Sequence, residues 1–127
     1  MDSSAWIAYA NRASSRHREV KRVLQERAGR LVTSNFVFDE TVTFLVYAEH
    51  HQAALRLGEK LLDGSSVTLV RLTVEDERSA WNLLSARPDQ IFSFTDCTSF
   101  ALMRRLEIST AVSLDADFRR EGFEVLP

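Results

Sequence analysis

Residues 93–100 read Ser-Phe-Thr-Asp-Cys-Thr-Ser-Phe, and residues 113–118 read Ser-Leu-Asp-Ala-Asp-Phe. Each segment places a carboxylate where an apolar strand ends or a helix begins. Asp2 and Glu40 lie at similar edges of apolar runs, far away in the sequence. Carboxylates repel one another, so gathering several of them is costly unless a cation holds them together. The pattern therefore predicts a divalent-metal pocket built from distant parts of one small domain.

Helical and strand patterns alternate on either side of these segments. Apolar periodicity and capping residues predict helices over 14–28, 36–49, 51–62, 74–86 and 95–106. Short β-branched or apolar runs predict strands over 31–33, 67–70, 111–114 and 124–126. Asn35, Thr73 and Thr95 are the expected helix N-caps. This alternation predicts an α/β fold, a mostly parallel sheet flanked by helices, with binding residues at the carboxyl ends of the strands.

The composition limits the class of protein. A chain of 127 residues with 45% hydrophobic and 27% charged residues is typical of a single globular domain, here 1–127. One cysteine permits no intramolecular disulfide and argues against a zinc site made of cysteines. The sequence contains neither an apolar run of about 20 residues nor a signal peptide, so we expect a cytoplasmic protein.

The net charge of −2 hides a basic segment near the N-terminus. Its cations are Arg12, Arg16, Arg18, Lys21, Arg22, Arg27 and Arg30, opposed by Glu19 and Glu26. Local positive charge is typical of surfaces that contact nucleic-acid phosphates. A solvated helix face has the same composition. The sequence leaves both interpretations open.

Glu40 is the least ordinary of the acidic residues. It lies three residues after Val37 and four before Phe44, on the expected apolar face of its helix, which also includes Leu45 and Ala48. A buried carboxylate must be protonated, paired or bound to a metal. The alternative to a metal is an ion pair with an arginine. Its neighbour Asp39 is expected to point to solvent.

The other acidic residues have structural alternatives. Asp96 could serve only to stabilise the first turn of a helix. Asp115 and Asp117 could form Asx turns after a strand, and we favour Asp115 as the ligand of the two. Asp2 is close to a chain end, where residues are often mobile. The apolar segment 6–10 that follows is, however, suited to packing against the sheet.

The chemistry of such a cluster favours a hard cation. Two carboxylates about 5 Å apart repel by roughly 3 kcal/mol at an effective dielectric constant of about 20. Mg²⁺ or Mn²⁺ would remove this cost, prefers oxygen ligands, and could activate water next to a phosphodiester. Other sites find less support: the sequence has no glycine-rich phosphate loop, and His17, His50 and His51 have no metal or triad partner by spacing.

Four segments in this order resemble the motifs of the PIN-domain family, especially the VapC-type toxins. Residues 2–7 (Asp-Ser-Ser-Ala-Trp-Ile) resemble the first motif, and residues 33–35 leading to Glu40 and Thr41 resemble the second. Residues 94–100 resemble the third. Residues 114–118 with Gly122 and Phe123 resemble the fourth. Each motif is weak alone, but together they span nearly the whole chain.

The resemblance implies a PIN-like three-layer sandwich and an endoribonuclease that depends on Mg²⁺ or Mn²⁺. It makes Asp2, Glu40, Asp96 and Asp115 the catalytic and metal-binding acids, with Asp117 as a further metal ligand. Ser3, Ser4 and Thr95 would support ligands or substrate. The resemblance also implies the toxin of a type II toxin–antitoxin pair, with an RNA substrate, an antitoxin partner and a homodimer.

Other functions remain open at this stage. One is a PIN nuclease that processes RNA outside toxin–antitoxin systems, and another is a catalytically impaired interaction domain. A phosphoacceptor receiver-like module also gathers acids at strand ends, but it needs a lysine on a later strand. Lys21 and Lys60 are the only lysines, which argues against that module.

The start of the chain departs from the family pattern. Family members begin with several apolar residues that form a central first strand, whereas only Met1 precedes Asp2 here. We therefore expect a truncated first strand. Either upstream residues are missing, which we favour, or Asp2 is positioned in another way. Without that strand we expect Asp2 to be poorly held and metal binding to be weakened.

Overall fold

The computed structural model describes all 127 residues, which form seven helices and four strands. The helices are α1 (Ser3–Ala10), α2 (His17–Glu26), α3 (Asn35–Tyr47), α4 (His51–Asp63), α5 (Val74–Ala86), α6 (Phe94–Arg105) and α7 (Asp117–Arg120). The strands are β1 (Leu31–Ser34), β2 (Val67–Val70), β3 (Thr110–Val112) and β4 (Glu124–Leu126). The predicted alternation is confirmed for the five expected helices and the four expected strands, whereas α1 and the short α7 are helices that the sequence pattern did not predict.

The strands form two separate parallel pairs. β1 pairs with β2, and β3 pairs with β4. The parallel orientation is as predicted, and it follows from the helices that connect each strand to its partner. The four strands do not join into one sheet through hydrogen bonds between β1 and β3. A continuous central sheet between two helical layers therefore stays a prediction.

Met1 and Asp2 lie in the gap between the two strand pairs. The Met1 amino nitrogen donates to the Val32 carbonyl at 2.5 Å, and the Asp2 backbone N–H donates to the Val112 carbonyl at 2.9 Å. The Thr33 hydroxyl donates to the Met1 carbonyl at 3.0 Å. Burial lowers the pKa of the Met1 amino group to about 6. The first two residues thus tie β1 to β3 and place Asp2 between the strand pairs.

Two hydrophobic clusters form the core on either side of this gap. The first surrounds Trp6, whose indole is fully buried and donates to the Thr33 hydroxyl at 3.1 Å. The second surrounds Phe100, whose ring meets those of Phe92 and Phe118 edge to face at 5.4 and 5.0 Å between centroids. Because α1 leaves the gap and α6 starts near it, both clusters fix the elements that carry the predicted acids.

Two of the three expected helix caps are shifted. Ser34, and not Asn35, caps α3, because its hydroxyl accepts the Val37 N–H at 3.1 Å. Asn35 is the first helical residue, and its side-chain oxygen accepts the Leu72 N–H at 2.9 Å. The Asn35 amide therefore holds the segment after β2 against α3. Thr73 caps α5 as predicted.

The second shifted cap belongs to α6. Ser93 caps this helix, so Thr95 is its second residue and not the N-cap as predicted. The Ser93 hydroxyl accepts the Asp96 N–H at 3.0 Å, and the Asp96 carboxylate accepts the Ser93 N–H at 2.8 Å. This reciprocal capping box satisfies two N–H groups that a helix start leaves without partners. It also fixes the direction in which Asp96 leaves the helix.

The apolar face of α3 is narrower than the sequence predicts. Val37 and Leu45 are buried as expected, but Phe44 is half exposed and Ala48 is exposed. Thr41 takes a fully buried position on this face instead. Burial at 37, 41 and 45 follows the four-residue spacing of one helix face. The predicted positions of Phe44 and Ala48 on the buried face are therefore wrong.

None of the helices combines the length and the apolar character that a membrane crossing would require.

Candidate active site

Asp2 is the most firmly held of the predicted acids. It caps α1, and one carboxylate oxygen accepts the Ser4 N–H at 3.2 Å and the Ser4 hydroxyl at 2.6 Å. The same oxygen accepts the Ser113 hydroxyl at 3.0 Å, and the residue is 4% exposed. The expectation that Asp2 would be poorly held is wrong, because serines from both ends of the chain orient it. Asp2 is positioned by these contacts and by its cap.

Glu40 approaches Asp2 from α3. The Ser3 hydroxyl donates to a Glu40 carboxylate oxygen and lies 3.3 Å from an Asp2 carboxylate oxygen. One hydroxyl has one proton, so the two carboxylates compete for a single donor. Glu40 is only partly buried and forms no ion pair, so the arginine alternative is wrong. Asp39 is exposed, as predicted.

Ser113 joins Asp2 to the loop that carries Asp115. Its hydroxyl donates to Asp2 and accepts the Asp115 N–H at 3.0 Å. An Asp115 carboxylate oxygen in turn accepts the Asp117 N–H at 2.9 Å, which is the expected Asx turn. Asp115 is partly buried and, like Asp2, has no basic partner. The loop after β3 therefore presents Asp115 on the same side of the gap as Asp2.

Asp96 shares the electrostatic field of these acids. Burial raises the pKa of its carboxyl group to about 6, and the negative charges of Asp2 and Asp115 raise it further. The two hydrogen bonds with Ser93 act in the opposite direction but do not prevail. Asp96 thus senses the charges of Asp2 and Asp115, although its only side-chain hydrogen bond is the one with the Ser93 N–H.

Asp117 differs from the other acids. It is buried in the first turn of α7, and its carboxylate accepts a hydrogen bond from the Arg120 guanidinium at 2.5 Å. This i, i+3 ion pair compensates its charge. Asp2, Glu40, Asp96 and Asp115 form no ion pair at all.

Three of the four uncompensated acids are coupled through shared hydroxyl groups, Asp2 with Glu40 and Asp2 with Asp115. No three carboxyl groups stand together in a ready coordination geometry, because Glu40 is turned toward Ser3 and Asp96 toward Ser93. The donor set nevertheless fits a hard divalent cation: all donors are oxygens, and no lysine or arginine is paired with them.

Sequence reasoning gave no role to two serines that organise the site. Ser113 couples Asp2 with Asp115, and Ser93 orients Asp96. A signal was available in both cases. A serine hydroxyl can reach the backbone of an aspartate two residues later at a strand end. It can also reach the backbone of an aspartate three residues later at a helix start.

The chain is similar to known proteins over nearly its whole length. Residues 1–124 match the sequence model of the PIN domain. The chain is 36% identical over 128 residues to proteins called "23S rRNA-specific endonuclease VapC20" from two Mycobacterium tuberculosis strains, covering 100% of this chain and 97% of each relative. The crystal structure of Mycobacterium tuberculosis VapC20, described as a sarcin–ricin loop cleaving toxin, superposes with a TM-score of 0.91. That superposition has 35% sequence identity and covers 99% of this chain and 97% of the other.

Proposed function

The chain belongs to the PIN-domain family, and from this premise we propose that it is an endoribonuclease, the toxin of a type II toxin–antitoxin pair. The observation that carries the proposal is the set of four carboxylates without a cationic partner, Asp2, Glu40, Asp96 and Asp115; Ser3 links Glu40 to Asp2, and Ser113 links Asp115 to Asp2. Buried or partly buried acids without cations are costly for folding, so selection for a function accounts for them better than selection for stability.

The substrate is a structured ribosomal RNA. The VapC20 relatives are named for 23S rRNA, and their solved structure for the sarcin–ricin loop. Identity of 36% over the full length of this chain supports the same class of substrate. We therefore propose a stem-loop of 23S rRNA as the target, with cleavage of one phosphodiester bond.

The cofactor is a divalent cation, Mg²⁺ or Mn²⁺. Asp2, Glu40, Asp96 and Asp115 would hold it, with Asp117 as a further ligand. When bound, the cation would offset charge on the scissile phosphate and lower the pKa of a coordinated water. Metal binding requires ionised carboxylates, and the bound metal would then reduce the repulsion between these carboxylates and a phosphate.

The protein side chains supply orientation and charge. Ser113 holds Asp2 and the Asp115 loop in one arrangement, and Ser3 holds Glu40 beside Asp2 until metal arrives. Asp96 can take up a proton below a pH of about 6 and release it when the cation binds. These side chains would hold the metal ligands in position before the reaction starts, which is how an active site is preorganised.

The architecture and partners complete the proposal. We place the whole chain, 1–127, in one PIN-like domain whose strand pairs form the central layer of a three-layer sandwich. In a toxin–antitoxin pair the protein would form a homodimer in the cytoplasm, and a cognate antitoxin would cover the site.

RNA cleavage tests the proposed function directly. A stem-loop RNA with the sarcin–ricin sequence is incubated with the purified protein and Mg²⁺, Mn²⁺ or EDTA, beside an RNA of equal length and scrambled sequence. We expect one cut in the stem-loop with either metal and none in EDTA. Cleavage that persists in EDTA, or that Asp96→Asn does not reduce, would contradict the proposed site.

A further inference from the structure

A basic cleft lies at the opposite end of α1 from Asp2. It has a volume of about 600 Å³ and lies between the end of α1, the loop after it, α2 and α4. Its cations are Arg12, Lys21, Arg56 and Lys60. No aspartate or glutamate lines it, and none of the four cations takes part in a salt bridge. Four like charges around one cleft repel one another, and an anion would relieve that repulsion.

Aromatic side chains hold part of the cleft in place. The Lys60 ammonium donates to the Tyr9 hydroxyl at 3.0 Å and lies 5.0 Å from the centre of the Tyr9 ring. The His17 imidazole stacks on the Tyr9 ring, with ring centroids 6.0 Å apart and planes at 16°. The buried His17 Nδ1 has no hydrogen-bond partner in the protein. Lys60 is thus fixed, whereas Arg12, Lys21 and Arg56 are exposed.

The cations of the basic segment differ in their surroundings. Arg16 and Arg22 form ion pairs with Glu19 and Glu26, as a solvated helix face does. Arg12 and Lys21 instead face the cleft, where Arg56 and Lys60 from α4 join them. Cations that converge from separate helices without acidic partners are typical of a surface that binds phosphates.

We propose that this basic cleft binds backbone phosphates of the RNA substrate on one side of the scissile bond. Tyr9 follows Asp2 by seven residues along α1, which at 1.5 Å per residue is about 10 Å. A strand whose phosphate lies at the carboxylates would reach the cleft within a few nucleotides. This inference rests on the proposed function, because that distance matters only if the acids contact RNA.

The cleft also compensates for a weakness of the acidic site. Before a cation binds, Asp2 and its neighbours repel RNA, so affinity must come from positive charge elsewhere. Contacts to phosphates position the strand without reading its sequence. The cleft would therefore contribute to affinity, while groups near the acids determine which bond is cut.

Binding in EDTA tests the cleft without depending on cleavage. Anisotropy of a fluorescent stem-loop RNA is measured from low to moderate salt for the wild type and for Lys21→Gln/Arg56→Gln. The control is Arg18→Gln/Arg78→Gln, which removes two exposed cations outside the cleft. We expect the cleft variant to bind at least about tenfold more weakly, with a salt slope reduced by roughly 1.5, since each lost phosphate contact removes about 0.7 to 0.9.

Several outcomes distinguish the cleft from the proposed function. Equal affinities and salt slopes for the cleft and control variants would overturn the cleft proposal, even if RNA cleavage is intact. A cleft variant that loses binding to a poly-glutamate peptide but keeps RNA binding would also overturn it, because the cleft would then bind an acidic protein segment. Loss of RNA binding in the cleft variant alone supports the proposal, whether or not the bound RNA is cut. Circular dichroism spectra are the control that shows whether both variants are folded.

Discussion

Asp76 and Asp96 occupy the same position in two capping boxes, but the pKa values of their carboxyl groups are shifted in opposite directions. Each is the third residue of its helix and accepts the N–H of its N-cap residue, at 2.9 Å from Thr73 and 2.8 Å from Ser93. A bidentate contact with Arg105, at 2.7 and 2.8 Å, holds the pKa of Asp76 below its ordinary value. Burial raises the pKa of Asp96 to about 6. Arg105 thus stabilises the charged form of Asp76, whereas burial disfavours the charged form of Asp96 at the same helix position.

Replacement of Asp96 by asparagine should abolish most RNA cleavage. Asparagine keeps the oxygen that accepts the Ser93 N–H but removes the negative charge that would hold a cation. We expect the rate to fall at least about 100-fold, or about 2.7 kcal/mol of transition-state stabilisation. The melting temperature of the metal-free protein should not fall, because the substitution removes a charge that burial and the neighbouring acids disfavour. Single-turnover cleavage at saturating Mg²⁺ and a thermal melt in EDTA measure both effects.

Asp76→Asn is the matched control for this substitution. It makes the same chemical change at the same helix position, but it removes the partner of Arg105. We expect a melting temperature several degrees lower and an activity within about threefold of the wild type, since no transition-state contact is lost. Equal losses of activity in both variants would mean that Asp96 acts only through the helix cap.

The stability of the metal-free protein should depend on Asp96 between pH 4 and 6. The pKa of Asp96 is about 6 in the folded state, above its ordinary value of 3.8. Within this window the folded protein binds more protons at Asp96 than the unfolded chain does. Linkage then requires that the Asp96 contribution to stability falls as the pH rises. Asp96→Asn should remove this decline.

The difference between the two melting curves isolates this contribution. The Met1 amino group has a lowered pKa of about 6 against an ordinary 8.0, so its contribution rises with pH between these values. Melts of wild type and Asp96→Asn in EDTA, from pH 4 to 8, cancel the Met1 effect in the difference. Mg²⁺ should stabilise the wild type more at pH 7.5 than at pH 5. A pH-independent difference would contradict a raised pKa for Asp96.

Ser113→Ala should weaken the site without touching an acid. Its hydroxyl is 2% exposed and couples Asp2 to the Asp115 loop. Its loss leaves a buried carboxylate oxygen and an N–H with fewer partners, at a cost of about 1–3 kcal/mol in stability. Loss of such a supporting contact typically costs 10- to 100-fold in metal affinity or activity, so about tenfold more Mg²⁺ should be needed for half-maximal cleavage.

The exposed Ser109 provides the control for that substitution. Ser109→Ala should leave both the melting temperature and the Mg²⁺ dependence unchanged. If Ser113→Ala lowers stability but keeps the Mg²⁺ dependence of the wild type, Ser113 supports the fold alone.

The sequence predicts the order of elements well because its local signals are strong. β2 and α5 match their predicted bounds, since β-branched residues and the Thr73 cap are unambiguous. The caps of α3 and α6 were misplaced by one and two residues, because each start offers several adjacent residues that could cap. The exposure of Phe44 was missed because it depends on what packs against α3, and helical periodicity alone does not give that.

The candidate site could be predicted as a set of residues but not as a geometry. Motif order identifies Asp2, Asp96 and Asp115. The connections between them run through hydroxyl groups, such as Ser113, 111 residues away from Asp2. Contacts over such distances depend on how the strand pairs are placed in space. The position of Asp2 is the clearest case: besides Ser4 nearby, Ser113 and the Val112 carbonyl hold it, and both lie far from Asp2 in the sequence.

Asp117 and Arg120 provide the last prediction, because the proposal makes Asp117 a further metal ligand while the structure pairs it with Arg120. If Asp117 also serves the cation, the arginine competes with the metal for the same carboxylate. Asp117→Asn should then raise the Mg²⁺ concentration for half-maximal cleavage, and Arg120→Gln should lower it. Arg120, the cation of this ion pair, is 67% exposed, so the pair contributes about 1 kcal/mol and both variants should remain folded. If both substitutions lower the melting temperature equally and leave the Mg²⁺ dependence unchanged, Asp117 only stabilises the first turn of α7. Opposite shifts in the Mg²⁺ titration cannot arise from loss of the ion pair, because each substitution breaks it.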